Sequence, residues 1–189
     1  MTYDIKNVFY LDVQATITKS LAGMTSAQLD LSAYIDPIAR GRTKGTGLAI
    51  YKCHYDVSDS ITGGETVLSG EAGIFRAGIV AGAGLGNVAT GAGTADRAQQ
   101  PSASNPLAVF GWDWFGPASL SAKNSVGMNM TYLKPSEKVP YVVVRDNVCL
   151  VVEQSTVMSE DATVSMRLEC AQITLDQATL NQLLRTQTV

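Results

Sequence analysis

The chain has 189 residues, of which only 16% are charged and 46% are hydrophobic. Charged residues are well below their usual share of about a quarter, and the apolar content excludes an intrinsically disordered protein. The length suffices for one domain with a two-layer core. A formal net charge of −3 gives no long-range attraction to phosphate, so we expect no direct binding of nucleic acid.

Alternation between apolar and polar residues dominates the first third of the chain. Apolar side chains at every second position predict half-buried strands at Phe9–Thr18, Ala27–Ile35 and Ala49–Val57. Each strand would place one face on a core and the other in solvent or against a partner.

The rest of the chain continues the pattern and ends in a helix. Further strands are predicted at Ile74–Ala81, Leu107–Phe115, Val126–Tyr132, Tyr141–Arg145, Val148–Val152 and Ala162–Thr174. The fourth and fifth of these flank Asp146-Asn147, which suits a tight turn, and their unbroken apolar runs are typical of strands covered on both faces. From Asp176, a suitable N-cap, leucines at helical spacing predict a short C-terminal helix.

Many strands without alternating helices favour an all-β fold over a parallel α/β sheet. We expect a single jelly roll or β-sandwich of eight to nine antiparallel strands. Neither a repeat of fixed period nor a linker divides the chain, so one domain over residues 1–189 is predicted.

The segment Asp36–Gly47 is predicted to be a loop with three basic residues. Arg40, Arg42 and Lys44 could bind phosphate, a lipid head group or the acidic side chains of a neighbouring subunit. A solvated loop is the simpler interpretation of so short a run of charge.

Residues 82–106 are rich in Gly and Ala and are predicted to form a long loop. A phosphate-binding loop needs Lys and Ser/Thr after its second glycine, where Ala92 and Gly93 stand, so no nucleotide site is indicated. So few large side chains cannot build a core of their own. We therefore expect this loop to contact neighbouring subunits, through Gly84, Gly86 and Gly91 among others.

The sequence gives no pattern for a catalytic centre, a metal site or a cofactor. His54 is the only histidine, and alternation places it on the polar face of its strand. Cys53, Cys149 and Cys170 include no C-x-x-C pair. Residues Met1–Lys6 lack the apolar core of a secretory signal, so we expect a reducing cytosol and free, mostly buried thiols. We therefore predict that the protein is not an enzyme.

Trp112 and Trp114 lie on one face of their predicted strand. Packing in the core is the usual role of such a pair. Two alternatives stay open, namely an aromatic seam between subunits and a platform for sugars. A sugar platform would make the protein a lectin-like or adhesin-like binding module, which is our second functional hypothesis.

The chain resembles the single jelly-roll capsid proteins of tailless icosahedral viruses. The shared features are a length of 189 residues, an early first strand, at least eight alternating strands and a long loop of small residues. A two-sided last strand, ATVSMRLECAQIT at Ala162–Thr174, also precedes a short helix. The nearest type is the small major capsid protein of membrane-containing archaeal and thermophilic-bacterial viruses.

This resemblance implies a structural virion protein that is made in the host cytoplasm. Such a subunit assembles with copies of itself into an icosahedral shell, and a second capsid protein and an internal lipid membrane would be further partners. The residues that we expect at contacts between subunits are Arg40, Arg42, Lys44, Gly84, Gly86, Gly91, Trp112 and Trp114.

Overall fold

A computed structural model of the chain describes residues 6–18, 23–36, 44–63, 74–81, 107–115, 127–129, 134–154 and 161–187. These ranges contain nine strands and one helix. Their bounds are β1 Lys6–Ile17, β2 Gly23–Asp30, β3 Lys44–Asp59, β4 Ile74–Ala81, β5 Ala108–Phe115, β6 Gly127–Asn129, β7 Tyr141–Val143, β8 Asn147–Gln154, β9 Ala162–Asp176 and α1 Gln177–Thr186. No helix within these ranges is long and apolar enough to cross a membrane.

The strands form two antiparallel sheets that pack face to face. The first sheet has the order β1-β9-β3-β7, and the second has the order β2-β8-β4-β5-β6. The pairs β1/β9, β2/β8, β3/β7 and β4/β5 are nested, so the chain runs as one long antiparallel hairpin rolled across both sheets. This is the strand order of a jelly roll, with β6 added at one edge. The predicted all-β jelly roll with a short C-terminal helix is confirmed.

The core lies between the sheets and is built from their inward-facing side chains. In β1, Val13, Ala15 and Ile17 are at most 8% exposed, as the alternation predicts. The largest fully buried side chains are Phe75 of β4 and Phe110 of β5. Burying an aromatic side chain of this size stabilises the fold by about 1.5–3 kcal/mol, so the second sheet contributes strongly to the core.

The second strand ends earlier than its alternation indicates. β2 stops at Asp30, whose Oδ1 accepts a hydrogen bond of 2.8 Å from the Ser32 N–H. The Ile35 N–H then donates to the Leu31 carbonyl at 3.1 Å, which closes one helical turn. Leu31 and Ile35 are buried all the same. The prediction of a strand through Ile35 is wrong, because the Asp30 side chain starts a turn there.

β7 and β8, which flank the predicted tight turn, do not pair with each other. β7 pairs with β3 in the first sheet, whereas β8 pairs with β2 and β4 in the second. The chain crosses between the sheets at residues 144–146. A turn-forming residue pair shows that the chain changes direction, but not which strand will pair with which. The predicted burial on both faces is confirmed, because residues 142–144 and 148–152 are at most 9% exposed.

β3 begins inside the predicted loop Asp36–Gly47. Its first residue is Lys44, and Asp36 and Thr46 exchange two backbone hydrogen bonds of 3.3 and 3.1 Å. This bridge joins the turn after β2 to the start of β3. The predicted loop is therefore too long at its C-terminal end, while residues 37–43 lie outside the described part of the chain.

A register shift between Ile50 and Lys52 interrupts the alternation of β3. Before the bulge, Ala49 and Tyr51 lie on the outer face of the first sheet, and beyond it the inward and outward positions are exchanged. Cys53 packs against the core between the sheets. The alternation alone puts Ala49, Tyr51 and Cys53 on one face, and that assignment is wrong.

Candidate functional site

The C-terminal helix covers one half of the outer face of the first sheet. The Asp176 carboxylate accepts a hydrogen bond of 2.7 Å from the Thr179 N–H, so the predicted N-cap is confirmed. Leu180 is fully buried. It belongs to an outer cluster with Ala49, Tyr51, Val142, Val144, Ala171, Ile173 and Leu175. This half of the face is therefore closed to any partner.

The other half of this face is open and polar. Outward side chains of β1, β9 and β3 lie there in cross-strand rows, such as Asp12, Arg167 and His54. The Arg167 guanidinium donates to both Asp12 carboxylate oxygens, at 2.7 and 3.0 Å, and lies 5.6 Å from the centre of the Tyr10 ring. This hydrogen-bonded guanidinium lowers the pKa of Asp12. Both charged groups are mostly exposed, so the pair orients side chains more than it adds stability.

His54 lies beside this ion pair on the polar face, as the sequence predicts. Its Nε2 is 2.8 Å from Glu169 Oε1. The side chains around it border a shallow hollow of about 530 Å³. The lining residues are Asp12, Val13, Gln14, His54, Tyr55, Asp56, Ser165, Met166 and Arg167. They offer a mixture of hydrogen-bond donors and acceptors, which suits a hydroxyl-rich or polar ligand.

The three cysteines are free thiols. Cys149 and Cys170 are buried and Cys53 is half-buried, as predicted. Burial raises the pKa of the Cys53 and Cys170 thiols to about 12, and it also raises the pKa of Cys149. All three are therefore protonated at neutral pH, whereas the thiolate is the nucleophilic form. Within the described ranges, no group of three or more His, Cys, Asp and Glu side chains could hold a metal ion.

One edge of the first sheet is formed by β1, which pairs with β9 alone among the described strands. On the outer face, Val8 and Tyr10 are 59% and 58% exposed. On the inner face, Phe9 and Leu11 are only partly buried. We call Val8–Leu11 the edge segment. It is the part of the strand where apolar side chains are accessible on both faces of the sheet.

The opposite edge of the same sheet is closed by a side chain. Gln187, which is 4% exposed, follows α1 and lies against β7. Its Nε2 donates to the Val142 carbonyl at 2.6 Å, and its Oε1 accepts from the Val144 N–H at 3.2 Å. An added strand would bind these same backbone groups. The Gln187 amide therefore takes the place of a strand partner.

The structure describes few of the residues predicted at subunit contacts. Lys44 is exposed at the start of β3. Trp112 and Trp114 lie in β5, in register with Ala77 and Phe75 of β4, but their side chains are outside the described part. Also outside it are Arg40, Arg42, Gly84, Gly86 and Gly91. The contacts assigned to these residues stay predictions.

Sequence reasoning missed both the Asp12–Arg167 pair and the open edge at β1. The pair joins residues 155 positions apart, and no local pattern links them. The edge segment did carry a signal. Val8–Leu11 is a run of four apolar residues within a strand that otherwise alternates, and such a run on a half-buried strand leaves apolar groups on the exposed face.

Comparison with known proteins identifies no family for the chain. No family model and no curated protein matches the chain. Among solved structures, the chain is similar to VP1 of Trichodysplasia spinulosa-associated polyomavirus in complex with sialylated precision glycooligomers. The two are 7% identical, with a TM-score of 0.45, over 93% of this chain and 100% of that chain. At this TM-score the similarity has no weight for function, and the jelly-roll assignment rests on the strand order.

Proposed function

We propose that the protein is a structural virion protein that assembles with copies of itself into an icosahedral capsid. The observation that carries this proposal is a jelly roll whose first sheet has one closed and one open edge among the described strands. Gln187 closes β7, whereas β1 has no described strand partner beyond β9 and exposes apolar side chains of the edge segment. Exposed apolar edge strands promote association, and natural monomers usually protect them. An open edge strand is therefore expected in a subunit that assembles with its own copies.

The low charge of the protein supports contacts between identical copies. Like subunits carry the same charges, so every strongly charged patch would repel its own kind. The formal net charge is only −3 for 189 residues. Exposed positions of β2 carry neutral polar side chains, among them Ser26 and Gln28. Such surfaces hydrogen-bond to a neighbour without a large electrostatic penalty.

The finer parts of the proposal rest on the resemblance to small jelly-roll capsid proteins. In this proposal, residues 1–189 form one domain. A second capsid protein and an internal membrane are its partners, and the protein is located in the virion after synthesis in the host cytoplasm. Contacts between subunits are assigned to Arg40, Arg42, Lys44, Gly84, Gly86, Gly91, Trp112 and Trp114. The proposal gives the protein no catalytic role and no direct contact with nucleic acid.

The mass of the purified protein in solution tests the proposal. The chain alone has a mass of 20.0 kDa. Light scattering over a concentration series should show large assemblies of defined mass in equilibrium with small species. A mass of one chain at every concentration, in low and in high salt, would rule out a self-assembling subunit.

A carbohydrate-binding module is the second candidate. The hollow of about 530 Å³ on the open half of the first sheet favours it, because carboxylate, imidazole, guanidinium and hydroxyl groups border it together. Soluble saccharides should then bind the monomer, and Asp12→Ala should weaken binding while Gln182→Ala, on the exposed face of α1, should not. Saccharide binding by a protein that stays monomeric would replace the capsid proposal with this one.

A further inference from the structure

The edge segment differs from the remainder of its own strand. Beyond Leu11, β1 returns to regular alternation, with Asp12, Gln14 and Thr16 exposed and the intervening residues buried. Thr16 Oγ1 also lies 3.0 Å from Thr163 Oγ1 of β9, and Asp12 is held by Arg167. Asp12 and Thr16 thus have polar partners within the sheet. The edge segment is the part of β1 that lacks such polar groups.

The side of β1 that faces away from β9 has no strand partner among the described strands. β1 pairs with β9 along one side, and no described residue outside β9 hydrogen-bonds to the backbone of Val8–Leu11. A strand at the edge of a sheet presents a row of N–H and C=O groups to any strand that approaches. Four consecutive apolar side chains then add burial on both faces of the sheet.

We propose that a second copy of the chain adds its own edge segment antiparallel to this one, so that two first sheets join into a continuous sheet. The inference rests on the proposed function, because it names the contact by which copies meet. An antiparallel pair related by a two-fold axis uses the same patch on both copies. A single self-complementary segment therefore suffices.

The absence of charge in the edge segment and the direction of its side chains both favour pairing with a second copy of the chain. Val8–Leu11 carries no ionisable group that is charged at neutral pH, so pairing two copies of this segment brings no like charges of its own together. In an antiparallel pair, opposite residues point to the same face. Val8 and Tyr10 of both copies would meet on the outer face, and Phe9 and Leu11 on the inner face.

The inner face supplies a further reason for this occupant. Phe9 stacks on Tyr34 with ring centres 5.0 Å apart and the rings inclined by 25°. Both rings are only partly buried in the single chain. A second copy would bring its own Phe9 and Tyr34 to the same place, and aromatic pairs across strands are among the favourable ones.

Introducing positive charge at the edge tests the pairing. The double variant Val8→Lys/Tyr10→Lys changes two side chains that are more than half exposed, so its fold and thermal midpoint should stay close to those of the wild type. Four like charges would meet across the joined edge. We expect the dissociation constant for self-association, measured by sedimentation equilibrium, to rise by about tenfold or more. The matched control Gln177→Lys/Gln182→Lys adds the same charge on the exposed side of α1 and should associate as the wild type does.

The outcomes separate this contact from the proposed function. If the wild type associates and the edge variant associates as tightly as the control, then the edge pairing is wrong and the capsid role stands. This holds whether the copies meet through another surface or the edge binds another protein. If the wild type is monomeric throughout, both fall. Hydrogen exchange gives the second readout, since amides in residues 8–11 should exchange more slowly in the associated state. Unchanged exchange there upon association would also overturn the pairing.

Discussion

Two glycines at the start of β3 are required by packing. A Cβ atom at Gly45 would lie 2.8 Å from Leu180 Cδ2 and 2.9 Å from the Asp36 carbonyl oxygen. At Gly47, it would lie 2.9 Å from Leu175 Cδ1. Glycine thus lets α1 and the turn after β2 lie directly against the strand. The sequence pattern assigned both glycines to a loop, because their contacts come from distant parts of the chain.

Replacing Gly45 with alanine should therefore destabilise the protein. The Asp36 carbonyl is backbone and cannot move aside cheaply, so we expect Gly45→Ala to lower the free energy of unfolding by about 1–3 kcal/mol. Gly23→Ala in β2 is the control, because a Cβ there meets nothing within 4 Å. Urea unfolding of both variants measures the effect. Equal stability of the two variants would show that Gly45 is not constrained by these contacts.

At the scale of elements, the C-terminal helix seals two parts of the first sheet. Leu180 closes the outer cluster, and Gln187 just beyond the helix closes the β7 edge. The spacing of the leucines predicted the helix, and Asp176 predicted its N-cap. It could not predict the role of Gln187, because that role depends on where the helix end meets a strand 45 residues earlier.

Gln187→Ala should weaken the fold more than an ordinary surface change. It would leave the Val142 carbonyl and the Val144 N–H buried without their partner, at a cost of about 1–3 kcal/mol. Gln187→Glu keeps the shape and the acceptor but loses the donor. At neutral pH it should therefore lower the stability of the protein more than Gln182→Ala does. Gln182→Ala on the exposed side of α1 is the control. Thermal unfolding should rank the three variants, and an unaffected Gln187→Ala would refute the role of this side chain.

Strand pairing is the part of the fold that sequence patterns specify least. β4 was predicted at Ile74–Ala81 and is found there, because its hydrophobic run has clear bounds. The pairing of Tyr141–Val143 with β3 rather than with β8 was missed, since alternation and turn residues describe one strand at a time. Likewise, the bulge between Ile50 and Lys52 moves Cys53 to the face opposite Ala49 and Tyr51 without leaving a local signal.

At the scale of the whole molecule, buried acidic groups link stability to alkaline pH. Burial raises the pKa of Cys53 and Cys170 from 9.0 to about 12, and that of Tyr141 from 10.0 to about 12. The folded protein holds these groups in their neutral form, whereas the unfolded chain ionises them at lower pH. Their contribution is therefore complete below about pH 9 and is lost as the pH rises toward about 12.

We expect the urea midpoint to fall between about pH 8 and about pH 11 because the unfolded chain binds fewer protons there. The double variant Cys53→Ala/Cys170→Ala removes two of the groups, so its midpoint should depend less steeply on pH, even if the variant is less stable overall. The two proteins are compared by the slope of the urea midpoint against pH, which a general destabilisation does not change. Parallel pH profiles for the two proteins would contradict the assignment.

For the whole molecule, we propose a jelly-roll subunit that assembles with copies of itself through the edge segment of β1. Electron microscopy of the purified wild-type protein, over a range of concentrations, tests it most directly. We expect closed shells of uniform diameter, and far fewer of them for Val8→Lys/Tyr10→Lys than for Gln177→Lys/Gln182→Lys. Fields that contain only single-chain particles at every concentration would contradict it.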